Sequence, residues 1–429
     1  MGHVHDAIVV GAGFAGLSAA VDLVERGYDV GVLEARPRVG GRVESMVLED
    51  GMRIDSGGQF LCADMPNVMA LARHYGKTLV RPHMEGNFIL QPPADEAESW
   101  RIYRESANLR ERIKGLDPGD PSLAGLSVAD WLAGQNASDD GARAFRSMIE
   151  GLWCRPIGEV PLWYLVSNDR RITNTRSELE YFLGETMHSL AGDLARDLGP
   201  RLCTATPVDR ILTTNDAVEI RAGGGTFRAR QVIVAVPPVM ASRIVFEPGL
   251  PHALASALNA WKSGTVIKAL LRYPRRFWRD DGLSGMVMWR DPAGLFACDV
   301  SRDGRGAALV VFAGGQLAVE WRQMARGVLQ DAIVGKLAAA LGPDARDATE
   351  ISLRDWTDDP WSGGGYSDTI ADASATSAEE IIRAGRAPIH FACSELSSSF
   401  PGYVEGAIVA GREAAHRVEA NARARHARA

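Results

Sequence analysis

Six residues near the start of the chain, Gly11-Ala12-Gly13-Phe14-Ala15-Gly16, and one acid, Glu34, have the types and spacing to hold a pyrophosphate and a ribose. Gly11 allows a tight turn, Gly13 lets backbone approach a phosphate with no Cβ in the way, and Gly16 lets a helix and a strand pack closely. A helix opening there offers unpaired N–H groups and the positive end of its dipole to the phosphates. Glu34, about 20 residues further on, is placed to accept hydrogen bonds from both ribose hydroxyls, and its charge repels an added 2′-phosphate. A glycine triplet alone is a weak sign, but the flanking sequence agrees with it. Ala7–Val10 is a short apolar run that predicts a parallel strand covered on both faces. Leu17, Ala20, Val21 and Val24 recur at helical spacing, and Gly27 stands where a helix stops. Asp29–Leu33 predicts a second strand ending at Glu34. Strand, glycine turn, helix, strand and acid make a dinucleotide-binding unit.

Arg36-Pro37-Arg38-Val39-Gly40-Gly41-Arg42 follows Glu34 and Ala35 directly. Two glycines with flanking arginines suit a second phosphate contact, on a cofactor that runs on past the first unit. A nicotinamide dinucleotide has no need of one, so the pattern points to FAD. Ile54-Asp55-Ser56-Gly57-Gly58-Gln59 comes next, where small residues let backbone come close to a flat ring. This series resembles the FAD-binding end of the flavin-containing amine oxidase family, which includes monoamine oxidases, polyamine oxidases and L-amino-acid oxidases. The resemblance implies an α/β fold: a Rossmann-like FAD-binding domain of the GxGxxG type with a discontinuous α+β substrate domain. The expected division is 1–80, 184–257 and 359–429 for FAD, and 81–183 and 258–358 for the substrate.

Val208–Leu212, Ala217–Arg221 and Thr226–Arg228 alternate apolar and polar residues, with Asn215-Asp216 and Gly223–Gly225 as turns, and predict a small antiparallel meander. An apolar strand, Gln231–Val236, follows it. The resemblance implies that the backbone of Val208 touches the adenine. Leu183-Gly184, followed by a helical pattern to Leu198, resembles the helix that returns the chain to the FAD domain. Lys268 stands in a strand pattern, Gly264–Leu270, and taken alone reads as an edge lysine facing solvent. The resemblance implies instead a buried lysine, bound through a water to flavin N5, whose charge stabilises the reduced flavin or superoxide.

Other blocks carry the resemblance onward. Trp356 resembles an aromatic residue packed near the ring. Gly365 stands where monoamine oxidases have a cysteine thioether-linked to the flavin, so the FAD is expected to be non-covalent. The block from Ile389 to Ala407 predicts strand, loop and helix, and the helix opening at Gly402, Tyr403 and Val404 would favour negative charge near flavin N1 and C2=O. Ser394 keeps a hydroxyl where the family often has threonine, Cys393 replaces its usual glycine, and Glu395 matches an acid expected to contact the cofactor's backbone. Tyr366 and Tyr403 match paired aromatics that stand over the flavin and sandwich the substrate nitrogen.

The implied reaction passes the α-hydrogen of a small amine, as hydride, to flavin N5. The imine hydrolyses to an aldehyde or ketone, and oxygen, or another electron acceptor, takes the electrons, oxygen giving hydrogen peroxide. An L-amino-acid oxidase is the nearest alternative. It needs a cation for the substrate carboxylate, often an arginine soon after the glycine pair. Here Gln59-Phe60-Leu61 follows Gly58, leaving Arg170, Arg171 or Arg176 for that role. Asn174 and Glu178 are candidates for the cavity wall by approximate register. A carotenoid-desaturase or protoporphyrinogen-oxidase type has less reason to keep both tyrosines, and an FAD-binding protein without turnover has none to keep Lys268.

Composition narrows the rest. The 429 residues are 46% hydrophobic and 24% charged, with a net charge of −7 and no basic stripe, which argues against nucleic acid. Five scattered cysteines with no CxxC argue against a disulfide framework or a zinc site, and no metal is expected. No uncharged apolar run reaches membrane-spanning length, and the N-terminus lacks the marks of a secretory signal, so a cytoplasmic protein is expected. The length fits either a monomer or a homodimer.

Overall fold

The structure, a computed structural model, describes residues 3–426 apart from 215, 303 and 305. The predicted turn at Asn215 therefore lies partly outside the described residues. The first unit comprises β1 (His5–Val10), α1 (Phe14–Glu25) and β2 (Val30–Leu33). The last four residues of β1 and all of β2 are buried, as an apolar run in a parallel sheet requires. Five parallel strands form the heart of this sheet, in the order Ile389–Phe391, Gly225–Val234, β1, β2, Leu202–Cys203. One face is covered by α1, Met187–Leu198 and the long helix Val404–His426, through Leu17, Leu23, Leu190, Ile408 and Val418. A Cβ at Gly411 would overlap the carbonyl oxygen of Ala15, so α1 and the last helix cross at backbone distance.

The predicted strands Thr226–Arg228 and Gln231–Val236 are one ten-residue strand, Gly225–Val234. No turn residue separates them, so the chain runs straight on and changes partners. Its first half pairs antiparallel with Val218–Ala222, and its second half pairs parallel with β1. This is how the meander, with Val208–Thr213, hangs from the parallel sheet.

A second sheet has six strands, in the order Glu350–Asp355, Val266–Tyr273, Ala307–Gly314, Leu295–Asp299, Leu283–Trp289, Asn87–Gln91. All its pairs are antiparallel except the last. Ile267, Ala269, Leu271 and Tyr273 face the helix Arg326–Leu341, which packs through Leu329, Ile333 and Leu337. Leu270, Cys298 and Val310 face the other way, against Phe182 and Ile54. Lys268 joins that second face by the two-residue period. Trp261–Gly264 pairs with Gly365–Ile370 just before this strand begins. No described helix is long and apolar enough to cross a membrane.

Candidate active site

A cavity of about 1000 Å³ is lined by residues of both sheets, at the upper end of the range for small-molecule sites. Most of the cofactor and catalytic residues singled out from the sequence reach its wall; Ala12, Gly16, Arg38 and Glu395 do not.

At one end the wall is the first unit. Gly11 holds φ +101, and a Cβ there would press on the Ala235 carbonyl of the neighbouring strand. Gly16 lies beneath the wall, where a Cβ would overlap the Gly11 carbonyl oxygen. The opening of α1 at Gly13 has no side-chain cap, and Gly13, Phe14 and Ala15 present it to the cavity. Glu34 is 3% exposed, and its two oxygens accept the N–H of Ala12 at 2.7 Å and of Arg36 at 2.8 Å. Each oxygen keeps a lone pair for a ribose hydroxyl. Val208 lines the same end.

Arg36 and Arg42 reach the cavity wall and also make contacts within the protein. Arg36 pairs with Asp359 and donates to Ser362 at 2.7 Å. Arg38 donates to the carbonyls of Val39 and Gly41 and so shapes the glycine turn. Arg42 binds Glu395 and donates at 2.7 Å to the carbonyl of Tyr366. Glu395 was expected to touch the cofactor; the structure buries it completely behind Arg42. A cation in the interior needs a counter-ion, and Glu395 is that group. Burial alone would raise its pKa, but Arg42 outweighs burial and holds it well below the usual carboxylate range.

At the other end Lys268 is 4% exposed. It is not an edge lysine: its strand has neighbours on both sides, with Phe312 and Arg354 opposite it. Its Nζ donates to the Gly57 carbonyl at 2.8 Å and to Gln59 Oε1 at 2.9 Å, and lies 5.3 Å from the centre of the Phe312 ring. Burial lowers its pKa from the ordinary lysine value, while Asp55 pulls the other way. Trp356 Nε1 donates to the Ser56 carbonyl at 3.0 Å, with the Arg354 guanidinium 4.2 Å over its ring. The glycine-pair segment is therefore fixed from both sides by the second sheet and its flank.

Tyr366 and Tyr403 both line the cavity. Tyr366 is held at φ +40, a strained conformation for a side chain of its size. It packs edge-on to Phe312 at 6.0 Å, and Tyr403 edge-on to Phe400 at 6.1 Å. The two tyrosines come to one cavity wall from different elements.

The family profile described as flavin containing amine oxidoreductase matches residues 14–419. The chain belongs to this family. It is 27% identical to the L-amino acid dehydrogenase of Synechocystis sp., over 96% of this chain and 94% of that one. It is 26% identical to a flavin-containing amine oxidase of Danio rerio, over 96% and 85%. Among solved structures, cyclohexylamine oxidase from Brevibacterium oxydans superposes with a TM-score of 0.90 at 25% identity, covering 98% of this chain and all of that one. The family fixes the chemistry class as flavin-dependent oxidation of amines, with FAD as cofactor. These residues fit FAD: a glycine cradle that side chains would block, a carboxylate held by two N–H groups, and two helix openings on one cavity.

Several cavity residues were not singled out in the sequence. Arg110 lines the wall and is paired with the wholly buried Asp169 at 3.0 and 3.3 Å. It follows Tyr103 and Ser106 on one face of the helix Glu96–Lys114, and a serine interrupting an apolar stripe was the available signal. Of the candidates for a carboxylate clamp, Arg171 is tied to Glu379 and Arg176 to Glu180; neither these nor Arg170 lines the cavity. Asn174 does not line it, but Glu178 does.

Proposed function

We propose that this chain oxidises the carbon–nitrogen bond of a small amine lying between Tyr366 and Tyr403. The observation that carries the reading is the convergence of the glycine cradle, Lys268 and both tyrosines on one cavity. Non-covalent FAD, when bound, would supply the two-electron acceptor for a hydride from the amine's α-carbon, with oxygen or another acceptor as the final sink. Glu34 and the opening of α1 would hold the adenosine ribose and the phosphates, Val208 would meet the adenine, and the opening at Gly402 would favour negative charge near the ring.

The tyrosine faces favour an amine and align its α-carbon. Lys268 keeps a positive charge and a spare donor beside the ring, because Gly57 and Gln59 take only two of its three N–H bonds. Aromatic and aliphatic walls, with Phe60, Phe296 and Phe312 among them, exclude bulk water. Residues 1–80, 184–257 and 359–429 form the cofactor domain in this reading, and 81–183 with 258–358 the substrate domain.

A second reading, oxidation of an L-amino acid, is favoured by one observation: Arg110 on the wall. Its pairing with Asp169 leaves it little charge to offer a carboxylate. Oxygen uptake and peroxide release with matched pairs of amino acids and their decarboxylated amines test both readings. Turnover of the amines alone supports the first; turnover of the amino acids alone contradicts it.

A further inference from the structure

The wall near Tyr403 carries a carboxylate that makes no hydrogen bond or ion pair among the described residues. Glu178 belongs to residues 170–181, between the Leu162–Asp169 helix and the Phe182–Leu183 strand, and lines the cavity with Ser177, Leu179 and Ile172. It is half-buried and has no hydrogen bond or ion pair among the described residues. The nearby acids differ. Glu180 is bound by Arg176 and by the N–H of Ala63, and Asp169 is bound by Arg110. Arg110 also acts on Glu178 from a distance, but its contacts go to Asp169, so Glu178 is the acid here without a contact partner. That charge reaches the site: burial raises the Tyr403 phenol, Glu178 raises it further, and Arg110 opposes.

A carboxylate facing a largely apolar cavity is costly without a partner. On this wall the partner that remains is the substrate. A carboxylate attracts an ammonium and repels an α-carboxylate, so it selects among amines as well as against amino acids. The reacting nitrogen must release its proton to free its lone pair, whereas a remote nitrogen keeps its charge throughout.

Resting on the amine reading above, we propose that Glu178 binds a second positive charge on the substrate, so that the preferred class is a diamine or another amine with a remote cationic group. The test uses FAD-loaded enzyme as wild type, E178Q and E178D, with α,ω-diamines and monoamines of matched length. kcat and KM are measured separately, and binding of a bis-quaternary ammonium that cannot be oxidised is followed by flavin absorbance. Wild type is expected to favour the diamine. E178Q is expected to lower the diamine-to-monoamine ratio of kcat/KM by about tenfold, through KM, as fits loss of one charge-assisted contact, and to weaken the dication similarly. E178D is expected to keep most of the preference. A ratio that E178Q leaves unchanged overturns this inference while amine oxidation stands. Failure of wild type to oxidise any amine overturns the amine reading and this inference with it.

Discussion

Lys268 Nζ lies 2.8 Å from the carbonyl oxygen of Gly57, so a lysine of the six-stranded sheet is clamped to the glycine pair beside the cofactor cavity. The contact joins two segments 211 residues apart and holds a cation on the cavity wall. K268M is expected to bind FAD and to be reduced by amine, but to be re-oxidised by oxygen about tenfold more slowly or worse, as loss of a preorganised charge costs. Double-mixing stopped flow separates the two half-reactions.

The same lysine sets a pH dependence. Asp55, Cys298 and Arg302 are the charged or titratable groups that act on it, and burial depresses its pKa. Re-oxidation in the wild type is therefore expected to slow as pH rises through a value below the ordinary lysine range. In K268M that limb is expected to vanish from the pH profile.

Glu34 is oriented by two backbone N–H groups before any ligand arrives. E34A is expected to weaken FAD binding at least about tenfold, since a hydrogen bond to a charged group contributes about 1.5–3 kcal/mol. Titrating apoprotein with FAD and following fluorescence quenching measures this.

Restoring the family's thiol is not expected to restore a covalent flavin. A Cβ at Gly365 would overlap Val266 Cγ1. G365C is expected to be less stable by about 1–3 kcal/mol, the usual cost of overpacking, with the flavin still released on denaturation. Thermal melts and a filtration assay read both effects, and V266A is expected to recover part of the stability.

His390 gives a pH term in stability. It is 2% exposed and bonded to Gln231 Oε1 at 3.0 Å; burial, helped by Arg417 and Arg425, lowers its pKa to about 4. The unfolded chain protonates near pH 6.5, so it binds more protons than the folded state between about 6.5 and 4. Stability present above that window is lost as pH falls through it, by about 3 kcal/mol. Denaturant melts across the window are expected to show this slope in the wild type and a shallower one in H390N.

What could be read from the sequence was what neighbouring residues decide. The turn at Gly11, the opening of α1 and the acid at Glu34 lie within one short stretch, and their types state their roles. Lys268 was different. Its central place in a sheet depends on pairing with Phe312 and Arg354, and nothing within its own strand reports those partners. The same distance hid the charges. The partners of Arg36 and Glu395 could not be read locally: the fold brings Asp359 to Arg36 from 323 residues away and sets Arg42 against Glu395. Strand boundaries failed for a related reason: Gly225–Val234 changes partners midway, and residues after a partner change resemble a new strand.

The central claim is that FAD in this cavity takes electrons from an amine held by Tyr366 and Tyr403. Anaerobic addition of an amine panel, including diamines, to the FAD-loaded protein tests it most directly. The expected result is loss of the yellow flavin absorbance with at least one amine, slowed in Y366F and Y403F. Protein that stays colourless after reconstitution, or stays yellow with every amine, would contradict it.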